Sequence, residues 1–262
     1  MSFVIAVILG IVEGITEYLP VSSTGHLIIA GDLLGWTGPR AATFEIFIQL
    51  GAVLAVVWHY RARLWAVTTR IAAPEGKAFL LPLFVAFLPA AVVGLLLHGW
   101  IKAHLFHPLV VAGALVLGGV IILVLERLHF EDTILDAERM PVRTAFGIGV
   151  AQILSLIPGT SRSATTILSG YALGCSRRVA TEFSFLLAIP VLGAATLYDL
   201  VKSRDLLVRE DLTLFLVGTL VAFATALLVI RGFLRFVSGH DFRPFAWYRI
   251  GFGIVVALWY LR

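Results

Sequence analysis

The sequence predicts an all-α integral membrane protein, with six transmembrane helices plus two re-entrant helix pairs in an inverted-topology repeat. Three observations carry this expectation. Of the 262 residues, 60% are hydrophobic and only 14% are charged, whereas soluble domains carry about 25% charged residues. Six apolar runs are long enough to cross a bilayer, at about 42–60, 79–98, 107–126, 181–200, 212–230 and 245–261; a span needs about 20 residues. Two further apolar regions, 3–35 and 143–173, are interrupted midway by Pro20-Val21-Ser22-Ser23-Thr24-Gly25 and by Pro158-Gly159-Thr160-Ser161-Arg162-Ser163.

The interrupted regions break into pieces of roughly 10–16 residues, too short to span and suited to re-entrant pairs. A proline-kinked span is the alternative for each. The apolar excess runs the whole length, so residues 1–262 read as one polytopic domain. The first apolar run lacks a basic leader and carries Glu13 and Glu17, so no cleaved signal peptide is expected. A lone Cys175 excludes an intramolecular disulfide and a multi-cysteine metal site. The net charge of +4 sits in short loops and suits anionic lipid; no basic patch with interleaved aromatics points to nucleic acid.

Two internal echoes suggest duplication. Pro20-Val21-Ser22-Ser23 resembles Pro158-Gly159-Thr160-Ser161 at an offset of 138. Phe44-Glu45 with Gln49-Leu50-Gly51 resembles Thr181-Glu182 with Leu186-Leu187-Ala188 at an offset of 137. The pseudo-repeats are expected at about 1–126 and 143–262. Three spans between the interrupted regions make them enter from opposite faces, which inverts the repeat.

Loop charges set the expected orientation. Arg61, Arg63, Arg70, Lys77, Arg127, Arg139, Arg143, Arg177, Arg178, Arg231, Arg235 and Arg243 fall on one side. Arg40, Lys102, Lys202, Arg204, Arg209 and Arg262 fall on the other, and Arg162 and Arg249 lie inside apolar segments. The richer side is expected to be cytoplasmic, leaving both termini and the first interrupted segment facing outward.

The chemistry concentrates in the interrupted segments. Glu13 and Glu17 are four residues apart, so a helix places both carboxylates on one face. A charge at bilayer depth costs about 2.5–3.5 kcal/mol on insertion scales, so two acids there demand a cation, an arginine or a shared proton. Paired carboxylates suit Mg²⁺ or Ca²⁺; a structural polar patch is the plainer reading. After Pro20, the hydroxyls of Ser22, Ser23 and Thr24 precede Gly25, His26 and an apolar run. That pattern caps a helix, and a helix N-terminus also holds anions. Three hydroxyls and a histidine exceed what a cap needs, and a serine with a histidine in reach forms a nucleophile–base pair. In the second segment Arg162 lies between Ser161 and Ser163, with Thr165 beyond, a donor set that suits phosphate. A snorkelling arginine is the alternative.

Glu45 and Gln49 form another pair at helical spacing, with Glu182 as the repeat counterpart of Glu45; lining a cavity and bracing the broken segments are equally open roles. His98, His104 and His107 read as interfacial. Trp58, Trp65, Trp100, Trp247 and Trp259 near span ends read as an aromatic belt.

These motifs resemble the bacitracin-resistance type of undecaprenyl-diphosphate phosphatase. The likeness runs along nearly the whole chain. It is strongest in the stretch from Leu9 through Glu13-Gly-Ile-Thr-Glu17 to His26, then in Phe44-Glu45 with Gln49-Leu50-Gly51, in Pro158-Gly159-Thr160-Ser161-Arg162-Ser163, and from Glu182 to Ala188. The resemblance implies removal of the terminal phosphate of undecaprenyl diphosphate, yielding the lipid carrier of bacterial cell-wall synthesis. It implies a divalent metal, a periplasm-facing site in the inner membrane, six spans and two re-entrant pairs. By position, Glu13 and Glu17 match the acidic motif tied to metal and proton transfer. Ser23 matches the proposed nucleophile, His26 its partner and Arg162 the phosphate-binding arginine. Ala164 departs from the usual glycine, a change of one methyl group.

The expected mechanism brings a polyprenyl diphosphate lipid from the outer face. Ser22–Thr24, Gly25, Arg162, Ser161, Ser163, Thr165 and a cation on Glu13 and Glu17 neutralise its charge. Ser23 attacks, with His26 or Glu17 as base; direct attack by water is the alternative within the same class. A transporter of the monophosphate carrier is the reading from another class, since inverted repeats with broken helices mark transporters. A homodimer is compatible with either. A phosphatase of the type that uses Lys and Arg-Pro motifs is disfavoured, because those motifs have no counterpart here.

Overall fold

The computed structural model describes residues 2–202 and 209–262. Arg204, one of the charges expected on the outer side, lies outside the described residues. So do the side chains of His98, Lys102 and Arg209. Helices make up the architecture of the described residues, whose only β feature is an isolated bridge from Ile134 to Cys175. The chain is an all-α integral membrane protein, because five helices are long and apolar enough to cross a bilayer.

The first broken region is a helix pair, α1 (Phe3–Thr16) and α2 (Ser23–Leu33). α3 (Pro39–His59) follows, then short α4 (Arg61–Thr68), long α5 (Pro74–His104) and α6 (Pro108–Leu125). The second broken region gives α7 (Val142–Gln152), a 3-10 turn at Ile153–Leu156, and α8 (Arg162–Ala172). Then come α9 (Arg177–Lys202), α10 (Arg209–Val237) and α11 (Arg243–Tyr260). Proline stands in the first turn of α3, α5, α6 and α11, where its missing N–H costs nothing.

The five helices of spanning length and composition lie in α3, α5, α6, α9 and α10. The sixth expected run, 245–261, falls in α11. That helix has 18 residues and carries Arg243 and Arg249, which lower its apolar content. α1 and the α7 region are apolar but shorter, as expected of interrupted segments.

Packing partners are exchanged between the halves. α1 and α3 pack on α10, while α7 and α9 pack on α5. α6 packs on α11 and α3 on α9 across the middle. Glycine sets the closest approaches: a Cβ on Gly10 of α1 would lie 2.7 Å from the Gly218 carbonyl oxygen, and one on Gly149 of α7 would lie 2.5 Å from that of Ala86. In a membrane, helix association relies on such tight backbone packing.

The structure shifts the register of the internal echo. Ser22 and Ser161 are the two non-glycine residues with positive φ among the described residues, at 73° and 76°. Each precedes a helix and caps it, Ser22 Oγ accepting from Gly25 N and Ser161 Oγ from Ala164 N. Their separation is 139, as is that of Gly10 from Gly149 and of Glu13 from Gln152. The offset of 138 followed the prolines, which sit one residue differently in the two turns.

The ends are tied by ions. Glu126, just past α6, accepts from Arg177 Nε at 3.2 Å and from the Phe242 backbone N–H at 2.9 Å, joining the starts of α9 and α11. Glu182 pairs with Arg178 at 3.0 Å and lies 3.8 Å from Arg63. This places Glu182 among arginines of α4 and α9, so it ties these helices and, among the described residues, holds neither broken segment.

Candidate active site

The two breaks meet. Glu17 begins the turn after α1 and Arg162 opens α8, and their side chains are only 4% and 8% exposed. Arg162 Nη2 donates to Glu17 Oε1 at 2.8 Å. The Ser23 hydroxyl, at the first position of α2, donates to Glu17 Oε2 in a short hydrogen bond. One carboxylate therefore holds the expected nucleophile with one oxygen and the expected phosphate-binding arginine with the other. Ser163 Oγ donates to the Leu19 carbonyl at 2.7 Å, a second link between the turns.

Arg162 is held from behind. Its Nη1 donates to the Ser184 carbonyl at 3.1 Å and to Ser184 Oγ at 3.3 Å. Thr166 Oγ1 lies 2.6 Å from the same Ser184 hydroxyl. The guanidinium sits over the ring of Tyr18, 5.7 Å from its centre, and Tyr18 is pinned by donating to the Ala52 carbonyl at 2.7 Å. These contacts fix the fork of the arginine, which is what oriented phosphate recognition needs.

His26 takes a different place from the one expected. Its Nδ1 lies 2.7 Å from the Ser22 carbonyl oxygen, so Nδ1 carries the proton and donates. Its Nε2 lies 2.6 Å from the Tyr248 hydroxyl, which donates to it. The ring stacks on Phe252 at 4.3 Å. Both nitrogens are committed away from Ser23, whose hydroxyl donates its hydrogen bond to Glu17.

The remaining donors sort by geometry. Ser22 Oγ and Ser161 Oγ are helix caps, and Ser161 and Ser163 share a hydroxyl contact at 3.0 Å. Thr165 Oγ1 bonds back to the Arg162 carbonyl at 2.9 Å. Gly25 belongs to α2, and a Cβ there would touch Val111 at 3.0 Å. Thr24 stands half-buried beside Ser23. The first amides of α2 and α8 lack intrahelical acceptors by position, so Ser23, Thr24, Arg162 and Ser163 still offer N–H groups to an anion.

Glu13 is buried, and its Oε1 has no hydrogen-bond partner. Its charged neighbours are Glu17, Glu45 and Arg162. Among the described residues no group of three or more metal-binding side chains gathers. The donor set is instead a carboxylate pair with one orphaned oxygen, and this fits a hard cation that keeps most of its water or phosphate ligands. Gln49 Oε1 accepts from Thr196 at 3.3 Å and so braces α3 against α9. Cys175 lies buried in the turn between α8 and α9, where burial pushes its thiol up to about 12.

A family model described as "Bacitracin resistance protein BacA" matches residues 6–255. The chain belongs to the BacA family. Relatives named "Undecaprenyl-diphosphatase" are similar along nearly their whole length. That of Nitrosomonas eutropha is 55% identical over 253 residues, covering 97% of this chain and 93% of the relative. The one from Aromatoleum aromaticum is 53% identical over 262 residues, covering 99% and 96%. A third, from Methylobacillus flagellatus, is 52% identical over 260 residues, covering 97% of both. Family membership makes the chain a multi-pass bacterial membrane protein.

Several residues of the site escaped sequence reasoning. Tyr248 contacts it from a position remote in sequence, Ser184 lies unsingled within the Glu182–Ala188 stretch, and Thr166 stands one helical turn beyond Arg162. Arg249 was visible only as an arginine inside an apolar run. Gln152 carried a readable signal, since Gly10-x-x-Glu13 and Gly149-x-x-Gln152 repeat at one offset.

Proposed function

We propose that this chain is a membrane phosphatase that hydrolyses undecaprenyl diphosphate to undecaprenyl phosphate and inorganic phosphate, recycling the cell-wall lipid carrier. The observation that carries this is the Ser23–Glu17–Arg162 arrangement, assembled from both interrupted segments in a family whose relatives bear that name.

Ser23 Oγ attacks the terminal phosphorus while its proton passes to Glu17. The P–O bond to the bridging oxygen breaks, and undecaprenyl phosphate leaves. Arg162 turns its Nη2 arm from Glu17 to the phosphoryl oxygens, while Nη1 stays on Ser184. Glu17 passes the Ser23 proton to the departing lipid phosphate, then takes one from the water that attacks the phosphoserine and returns it to Ser23 Oγ as inorganic phosphate leaves. Free amides at the starts of α2 and α8 supply further positive field. Glu13 and Glu17 are the residues that would hold Mg²⁺ or Ca²⁺, whose chemistry there is charge neutralisation. We place the chain in the inner membrane with six spans and two re-entrant pairs, the site opening outward. The loop charges and the exchanged packing support that topology.

Phosphate release from undecaprenyl diphosphate by purified protein in detergent tests this reading, since detergent removes sidedness. Release supports it. Movement of the monophosphate carrier in vesicles without release in detergent favours the transporter reading instead, for which the exchanged packing of the halves is the supporting observation.

A further inference from the structure

The guanidinium of Arg249, in the middle of α11, is fully buried, and no carboxylate accepts from it among the described residues. Its five N–H groups each meet a carbonyl oxygen. Nε donates to Leu115 at 3.4 Å. Nη1 donates to Pro20 at 3.0 Å and to Thr160 at 3.0 Å. Nη2 donates to Ala114 at 3.1 Å and to Gly159 at 3.0 Å. Two of these oxygens lie on α6, one in the first break and two in the second. The clamped carbonyls stand immediately before Val21-Ser22 and Ser161-Arg162, the turns that aim Ser23 and Arg162. Gly118 of α6 leaves the room, since a Cβ there would lie 2.1 Å from Nη2.

We infer that Arg249 is a positioning residue: one side chain staples both interrupted segments to α6 and so sets the distance between Ser23 and Arg162. An arginine at bilayer depth without a carboxylate needs a reason, and a full set of carbonyl acceptors converging from three elements supplies one. Planarity of the peptide adds direction: with the Thr160 carbonyl turned to Arg249, the Ser161 N–H points the opposite way. Lysine keeps the charge but has three donors from one point, so it cannot bridge all three elements.

The inference rests on the phosphatase reading. Its test is steady-state hydrolysis of undecaprenyl diphosphate by Arg249→Lys, normalised to folded protein by size-exclusion profile and melting in detergent. Because misplacing reacting groups by about 1 Å costs on the order of 10²-fold, kcat should fall by about that factor. KM should hold within about threefold, since the lipid tail keeps its binding energy. A folded Arg249→Lys with wild-type kcat overturns the inference. Should that variant not fold, Gly118→Ala decides: a lower kcat at unchanged KM supports the staple, and wild-type kcat overturns it. If the wild type itself releases no phosphate, the functional reading fails and not this one. Binding of inorganic phosphate, followed by ³¹P NMR, then takes the place of kcat. At least tenfold weaker binding in Arg249→Lys supports the staple, and equal binding defeats it.

Discussion

The two interrupted turns share a backbone and differ in what they carry. Both place a serine at positive φ, Ser22 and Ser161, and both use it to cap the following helix. Ahead of the first turn stand Glu13 and Glu17; the equivalent positions in the second, at the offset of 139, hold Gln152 and Leu156. After the turns stand Ser23 and Arg162, again at 139. The first turn thus supplies the carboxylate and the serine hydroxyl, and the second supplies the guanidinium that pairs with that carboxylate. The two turns share a backbone form, while the side chains they bring together differ.

Removing the shared group should break this comparison most completely. Glu17→Gln loses the proton acceptor for Ser23 and leaves Arg162 buried without its ion pair. Phosphate release should drop on the order of 10³-fold, within the range for a positioned general base. Arg162→Lys tests the other half. It keeps the charge but loses the fork held by Ser184, so kcat/KM should drop about 10²-fold, read in the same assay.

Smaller effects probe the scaffold. Gly10→Ala and Gly149→Ala each push a methyl into a facing carbonyl, so each should lower stability by about 1–3 kcal/mol. Melting in detergent reads that loss, and similar losses in the two halves would confirm that they pack alike. Gln152 is fully buried with neither amide atom partnered. Gln152→Met removes polar atoms that bond to nothing, so stability should hold or rise, with activity unchanged within a few fold. A large activity loss there would give the second half a chemical role beyond Arg162.

Local pattern made much of this legible before the structure. The apolar runs and their proline breaks placed the helices, and the crowded hydroxyls and acids around Pro20 marked the site. Pairing across distance was not legible. Tyr248 and Arg249 reach the first break from more than two hundred residues away, and their immediate neighbours Trp247 and Ile250 are ordinary apolar residues. His26 shows the limit most clearly. Its nearness to Ser23 in sequence suggested a base, but one helical turn directs its ring towards α11, while Glu17 folds back across the break to meet the serine. The offset of 138 erred for a related reason: prolines were the visible landmarks, whereas the turns are aligned by backbone conformation, which falls on the serines.

The central claim is that Ser23, held by Glu17, is the attacking group. Phosphate release from undecaprenyl diphosphate by purified Ser23→Ala in detergent tests it directly. Turnover should fall at least about 10³-fold below wild type in a folded protein. Turnover within tenfold of wild type would contradict it and assign the attack to water.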